Sequence, residues 1–226
     1  TDITVVDGGS QDNTRELVER FSAEGYDVLL QPSEKGRAKQ MNTGAKHSKG
    51  AILYFLHADS FPPKNFDALI ITEVEKENLA GCFRMQFDHN HWWLRLASWL
   101  TQFSWRACRG GDQSQFITRE LFNDIGGFDE SFIIYEDNIL INELYERDEF
   151  VVINKKLKSS ARLYEEKGIW YLQYHFWTIY VKKWFGASAD ELFDYYCKHI
   201  RSKKPAAKAA HETIEVPKPI EVYTDK

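Results

Sequence analysis

Residues 51–56, Ala-Ile-Leu-Tyr-Phe-Leu, form a short unbroken apolar run, the pattern of a strand covered on both faces. Pro62 and Pro63 stop it, and between run and stop the chain delivers His57 and Asp59. Upstream, Ile3, Val5 and Val6 predict a first strand ending at Asp7, and residues 27–31 a second. Between them, Leu17, Val18 and Phe21 give a helical stripe that Asn13 can cap and Gly25 can close. Helices are expected over 37–48 and 65–76. Strand and helix thus alternate through the first third of the chain, which predicts an α/β fold with a mostly parallel sheet flanked by helices.

The pattern then changes. Residues 81–88 alternate Phe83, Met85 and Phe87 against Cys82, Arg84 and Gln86, predicting an antiparallel or edge strand. Further strands are expected over 114–118, 150–154 and 158–162, and helices over 91–106, 119–125, 136–147 and 168–185. Ser188 and Glu191 have capping-box spacing for a last helix to about residue 200. From Ser202 the composition shifts to Lys, Ala, Pro and Glu, so residues 1–201 are expected to be one domain and 202–226 a disordered tail.

A net charge of -5 argues against a general nucleic-acid binder, whose footprint is basic. Cys82, Cys108 and Cys197 have neither metal-site nor disulfide spacing, which fits a reducing, cytoplasmic setting. No apolar run approaches the length of a transmembrane helix.

The polar residues that could carry chemistry sit at strand and helix ends. Asp7 with Gly8 and Gly9 ends a strand in an acid followed by a sharp turn; it could meet a base or ribose, or only punctuate the turn. Lys35, Arg37 and Lys39 gather cations at a helix start, where phosphate binds, with Gln40 and Asn42 close by. His57 and Asp59, one residue apart, can face one ligand. Asp59 reads as the acid facing a Mg²⁺ or Mn²⁺ ion held mainly by substrate phosphates and water. His57 could join it, but reads more simply as a hydrogen-bonded histidine beside the site. Asp112 and Gln113 follow Gly110 and Gly111; Asp112 could orient an acceptor or a neighbouring cation, or the stretch is only a tight turn carrying polar residues. Glu136 and Asp137 open a helix, where the dipole favours acids; either could also serve as a general base.

All seven tryptophans fall in two segments, and Trp170, Trp177 and Trp184 recur every seventh residue. The plainer reading is that two helices pack on each other. The other is an interfacial belt with Arg95, Arg106, Lys182 and Lys183 near lipid headgroups.

The segments VVDGGSQDNT, KGRAKQMNTGA, FLHADS, GGDQSQFITRELFNDIGGFDE and YEDNILINEL occur in the order seen in family 2 glycosyltransferases of the GT-A fold, which the chain resembles over most of residues 1–200. It is similar in particular to the radical-SAM/selenodomain-associated transferase 2 subfamily, through the GRA-x-QMN stretch, the HAD, Ser160-Ala161-Arg162 and Gly168-Ile169-Trp170. The resemblance implies a metal-dependent inverting glycosyltransferase moving a sugar from a nucleotide-sugar donor to an acceptor hydroxyl. Asp7 would contact the base, Arg37 and Asn42 would lie beside base and diphosphate, and Asp59 would be the last acid of the metal motif. Asp137 would be the catalytic base supported by Glu136, and Asp112 and Gln113 would form the acceptor-side loop. His57 stands where the usual motif has its first acid.

The resemblance also implies a strand and loop preceding the first strand here, which have no counterpart in residues 1–226; alternation at Ile214 and Val216 makes 213–223 a candidate to fill that place. The implied setting is cytoplasmic, with peripheral contact at the inner face of a membrane and a lipid-linked acceptor. Two rival readings accompany it. One is a non-catalytic nucleotide-sugar-binding or membrane-docked scaffold. The other is a sugar-phosphate nucleotidyltransferase, whose glycine-rich loop after the first strand is not seen here.

Overall fold

A computed structural model describes residues 2–110 and 113–201. Asp112 and the segment 213–223 therefore lie outside the described residues. Strand β1, Ile3–Asp7, pairs in parallel with β2, Val28–Pro32, and the crossover that such a pair requires is α1, Thr14–Ala23. Helix α2, Arg37–His47, leads from β2 to β3, Ile52–Phe55. It rests on both neighbours. Gly44 sits so near β1 that a Cβ there would stand 3.2 Å from Val6, while Ala38, Met41 and Ala45 pack with Leu53 and Phe55 of β3.

The remaining strands build a second sheet. They are β4, Ser60–Phe61; β5, Ala80–Phe87; β6, Gln115–Thr118; and β7, Val151–Ser159, in the order β3-β6-β5-β7-β4. β5 and β7 run parallel, whereas β3–β6, β5–β6 and β4–β7 are antiparallel. The sheet is thus mixed, and the parallel pairing foreseen from the opening alternation is realised in β1–β2 and β5–β7. Among the described residues β1 and β3 each pair on one side, with β2 and β6 respectively.

Several boundaries differ from expectation. β5 is the central strand of its sheet and almost wholly buried, not an edge. Gly81 lets it lie close against β7: a Cβ there would come within 2.3 Å of the Val151 carbonyl oxygen. The two strands expected over 150–162 are one strand with an irregularity. Phe83 faces Ile153 and Arg84 faces Lys156, leaving polar Asn154 and Lys155 out of register. β3, expected to be covered on both faces, is an edge strand in which only Leu53 is buried. The helix expected over 91–106 stops early as α4, Trp92–Leu100, and a turn of 3₁₀ helix follows at Arg106–Cys108.

Helices α3 (Phe66–Glu75), α5 (Arg119–Ile125), α6 (Glu136–Glu146), α7 (Arg162–Lys167), α8 (Ile169–Trp184) and α9 (Ala189–His199) complete the described chain. α3 covers one face of the five-stranded sheet through Ile70, with Phe83, Phe116, Ile153 and Leu157. α2, α5 and α6 enclose a second apolar cluster containing Leu53, Phe122, Leu140 and Leu144. α4, α7, α8 and α9 close over Met85 and Phe87 at the far end of β5. The capping box expected at Ser188 and Glu191 is present at the start of α9. The two tryptophan-rich helices do pack on each other. Trp93 lies 5.4 Å from Trp170 and 5.9 Å from Trp177, ring to ring, and donates its Nε1–H to Gln173.

Candidate active site

Five parts of the chain meet at one pocket, lined by Arg37, Met41, Phe55, His57, Gln113, Gln115, Phe128, Glu136 and Asp137. Arg37 opens α2 and His57 follows β3. The glutamines come from the start of β6 and the residue pair before it. Glu136 and Asp137 form the first turn of α6. Arg37, His57, Gln113, Glu136 and Asp137 are thereby brought together from positions up to 100 residues apart in sequence.

Glu136 is fully buried, yet neither of its carboxylate oxygens has a hydrogen-bond partner. Its neighbour is Arg37, whose Nε lies 3.4 Å from Oε1. Burial first, and the adjacent Asp137 second, push the Glu136 carboxyl up to about 7 against the pull of Arg37. The Arg37 guanidinium also lies on the His57 ring, with Nη2 2.9 Å from Nε2 and 3.2 Å from Nδ1. Whichever ring nitrogen lacks a proton accepts. Asp137 accepts at Oδ1 from the Asn138 backbone N–H at 2.7 Å and side-chain amide at 3.1 Å, and its buried Oδ2 has no partner. The turn is set by Tyr135, held at φ +75° just before Glu136 and packed on the Tyr180 ring at 5.4 Å. A non-glycine residue in that conformation costs energy that its surroundings must supply, and such positions cluster at functional sites. Tyr180 itself is pushed upward in pKa by burial and by Asp137.

The other expected residues are placed differently. Asp7 is buried and turned inward: Oδ1 accepts from Ser10 N–H at 2.8 Å and Oδ2 pairs with Arg15. Ser10 first and Arg15 after it hold the Asp7 carboxyl down to about 2. Gly8 faces the end of the Gln40 side chain. Asn42 braces a loop, donating to the Phe128 carbonyl and accepting from the Phe128 N–H, both at 2.9 Å. Gly127, at φ +79°, makes room for it, since a Cβ there would meet Asn42 Oδ1 at 2.9 Å. Gln113 lines the pocket, but its amide is engaged by Arg109 at 2.9 Å and by the Cys108 carbonyl at 2.9 Å. Asp59 stands exposed in the turn after His57 and is not on the pocket wall.

The chain matches the family model described as Glycosyl transferase family 2 over residues 1–154. It belongs to glycosyl transferase family 2. It is 40% identical over 63 residues to Glycosyltransferase AglE of Haloferax volcanii, a stretch that spans 27% of this chain and 21% of AglE. Two solved structures share the fold. One is residues 1–349 of TarS from S. aureus, with a TM-score of 0.55 at 15% identity, covering 72% of this chain and 52% of that one. The other is the mannosyltransferase PcManGT from Pyrobaculum calidifontis, in complex with GDP-Man and Mn²⁺, with a TM-score of 0.53 at 18% identity, covering 91% and 56%. The chain spans about a fifth of AglE and a little over half of each solved chain. These neighbours agree with the GT-A-type α/β architecture expected from sequence.

Among the described residues no three His, Cys, Asp or Glu side chains gather as a metal cluster. A lone exposed carboxylate suits a hard cation only when phosphate oxygens and water complete the shell. Asp59 fits that demand. His57 fits it poorly, because the Arg37 guanidinium lies against its ring nitrogens. Two pocket features escaped sequence reading. Gln115, with a buried unpartnered Nε2, opens β6 two residues after Gln113, and both line the pocket. Met41, Phe55 and Phe128 supply apolar wall and gave no signal in the sequence.

Proposed function

We propose that this family 2 domain, residues 1–201, transfers a sugar from a nucleotide-sugar donor to an acceptor hydroxyl with inversion at the anomeric carbon. The observation that carries the reading is the pairing of Glu136 and Asp137 at one pocket with Arg37. There, buried carboxylate oxygens without hydrogen-bond partners stand beside a cation. Such groups cost stability unless something binds them. Asp137 Oδ2 would accept the acceptor's proton as its oxygen attacks the anomeric carbon from the face opposite the leaving diphosphate. Glu136 holds Arg37 at the pocket, where the guanidinium would meet the donor's phosphate oxygens. Asn42 fixes the loop at 127–130, and Asp7 fixes the turn at 7–10, where the nucleotide base would lie.

A divalent cation held by Asp59 and the donor would neutralise charge on the departing diphosphate. PcManGT, of the same fold, was solved with GDP-Man and Mn²⁺, which supports a donor and cation of this kind. The HAD and GRA-x-QMN stretches favour the radical-SAM/selenodomain-associated transferase 2 subfamily. The cysteine pattern favours a cytoplasmic setting, and the aromatic helices beside the site favour an acceptor held at a membrane.

The test is release of free nucleoside diphosphate from a panel of nucleotide sugars, with and without Mn²⁺. The reading predicts slow release from one donor class, abolished by chelator. No release from any donor that the protein binds would replace it with a non-catalytic binder.

A further inference from the structure

Helix α8 carries two apolar faces where a packed helix needs one. Leu172, His175 and Ile179 face inward. Trp170, Tyr174, Trp177, Val181 and Trp184 are all exposed, and they recur at alternating steps of four and three, so they form one continuous stripe. At its end Trp184 is 84% and Phe185 80% exposed. The stripe spans about 21 Å along the helix at 1.5 Å per residue. On α4, Trp92, Leu96 and Trp99 repeat the pattern and are also exposed. The two stripes meet where Trp92 lies 5.8 Å from Trp170. An exposed aromatic face of this extent marks an interaction surface.

Charge identifies the partner. Residues 92–109 and 169–189 contain no Asp or Glu, where 34 acids among 226 residues would place about six. The charged residues there are Arg95, Lys182 and Lys183, with Arg106 turned to Asn138 and Asn142 and Arg109 buried. In an acidic protein this face is therefore a basic island. Lys182 and Lys183 lie along the Tyr195 and Phe132 rings, at 5.5 and 4.5 Å, with stems long enough to carry their ammonium groups to a headgroup layer. A second copy docked by a two-fold axis would set these cations against themselves, with Glu191 beside Lys182 as the nearby acid. Tryptophan and tyrosine, apolar in body and polar at one edge, are the residues of a bilayer interface, whereas a helix–helix seam favours Leu, Ile and Val.

We infer that the exposed face of α4 and α8 is a docking surface for an anionic lipid bilayer, lying in its interface with the aromatic stripe inserted and the basic residues at the phosphates. Among the described residues no helix is long and apolar enough to cross a membrane, so the attachment is peripheral. The surface adjoins the pocket. Tyr180, between Trp177 and Val181 on α8, packs on Tyr135, the residue before Glu136. If the transferase reading holds, docking presents Asp137 to acceptors drawn from the lipid phase. Docking itself does not depend on that reading, because it is measured without donor.

The experiment is flotation with vesicles of phosphatidylcholine, alone and mixed with phosphatidylglycerol. Circular dichroism checks the fold of each variant, and quenching of tryptophan fluorescence by bromine-labelled acyl chains reports insertion. The wild type should float with the mixed vesicles, less so as salt rises, and should be quenched. Trp184→Ala with Phe185→Ala should weaken binding about tenfold or more. Lys182→Gln with Lys183→Gln should lose the preference for phosphatidylglycerol. The inference is overturned by no flotation with mixed vesicles, by flotation without quenching, or by binding that the folded Trp184/Phe185 variant retains in full. It is also overturned if the wild type dimerises through this face and ignores vesicles.

Discussion

At the scale of single residues, Glu136 concentrates the physics of the site. Its carboxyl, raised to about 7 from an ordinary 4.5, keeps its proton in the folded state where the unfolded chain has lost it. Stability from this group is therefore full below about 4.5, falls as pH rises through 4.5 to 7, and is level above that, a change on the order of 3 kcal/mol. Glu136→Gln has no proton to lose. Denaturant titrations across pH 4–8 should show the variant lacking that decline relative to the wild type; parallel curves would mean that the carboxylate is not strained by burial. The residue types at the site were legible in the sequence, since acids and cations stood at strand and helix ends. Their allegiances were not. Nothing in the chain says that Arg37 lies on His57 and Glu136, or that Asn42 turns to the Phe128 backbone. Those are three-dimensional neighbours separated by 20 to 99 positions. Asp7 shows the converse: its turn was legible, but the Arg15 partner that draws it inward was not.

Among the elements, helix caps and apolar stripes carried their message in local chemistry, and the helices expected at 37–48 and 188–200 lie where Gly36 and Ser188 begin them. Strand neighbours carried none. The alternation in β5 fits an edge strand as well as a central one, because Cys82 is buried only when Arg109 and Gln113, distant in sequence, close over it. β4, two residues long, is defined by its pairing with β7 and has no pattern of its own. The β5–β7 contact makes a prediction at this scale. Gly81→Ala would push a methyl into the Val151 carbonyl and the Phe116 ring, and overpacking of that kind costs about 3 kcal/mol. The urea midpoint should fall with an unchanged slope. An unaltered midpoint would show that β5 and β7 lie farther apart than described.

For the molecule as a whole, the architecture follows from two sheets and one shared helix. α2 rests on β1 at Gly44 and on β3 at Met41 and Ala45, so the start of the same helix can deliver Arg37 to a pocket whose opposite wall is α6. The α/β class was readable from the order of elements; the mixed strand directions in the second sheet were not, because pairing there is set by contacts between segments 60 to 100 residues apart. The family match and two solved neighbours agree on the overall fold, and the chemistry rests on this chain's own pocket. Its central claim is that Asp137 removes the acceptor's proton. The most direct measurement compares Asp137→Asn with the wild type for sugar transfer and, in parallel, for donor binding by thermal shift. The account predicts transfer reduced at least about a hundredfold, the scale of a lost general base, with the donor-induced shift intact. Transfer at the wild-type rate would contradict it.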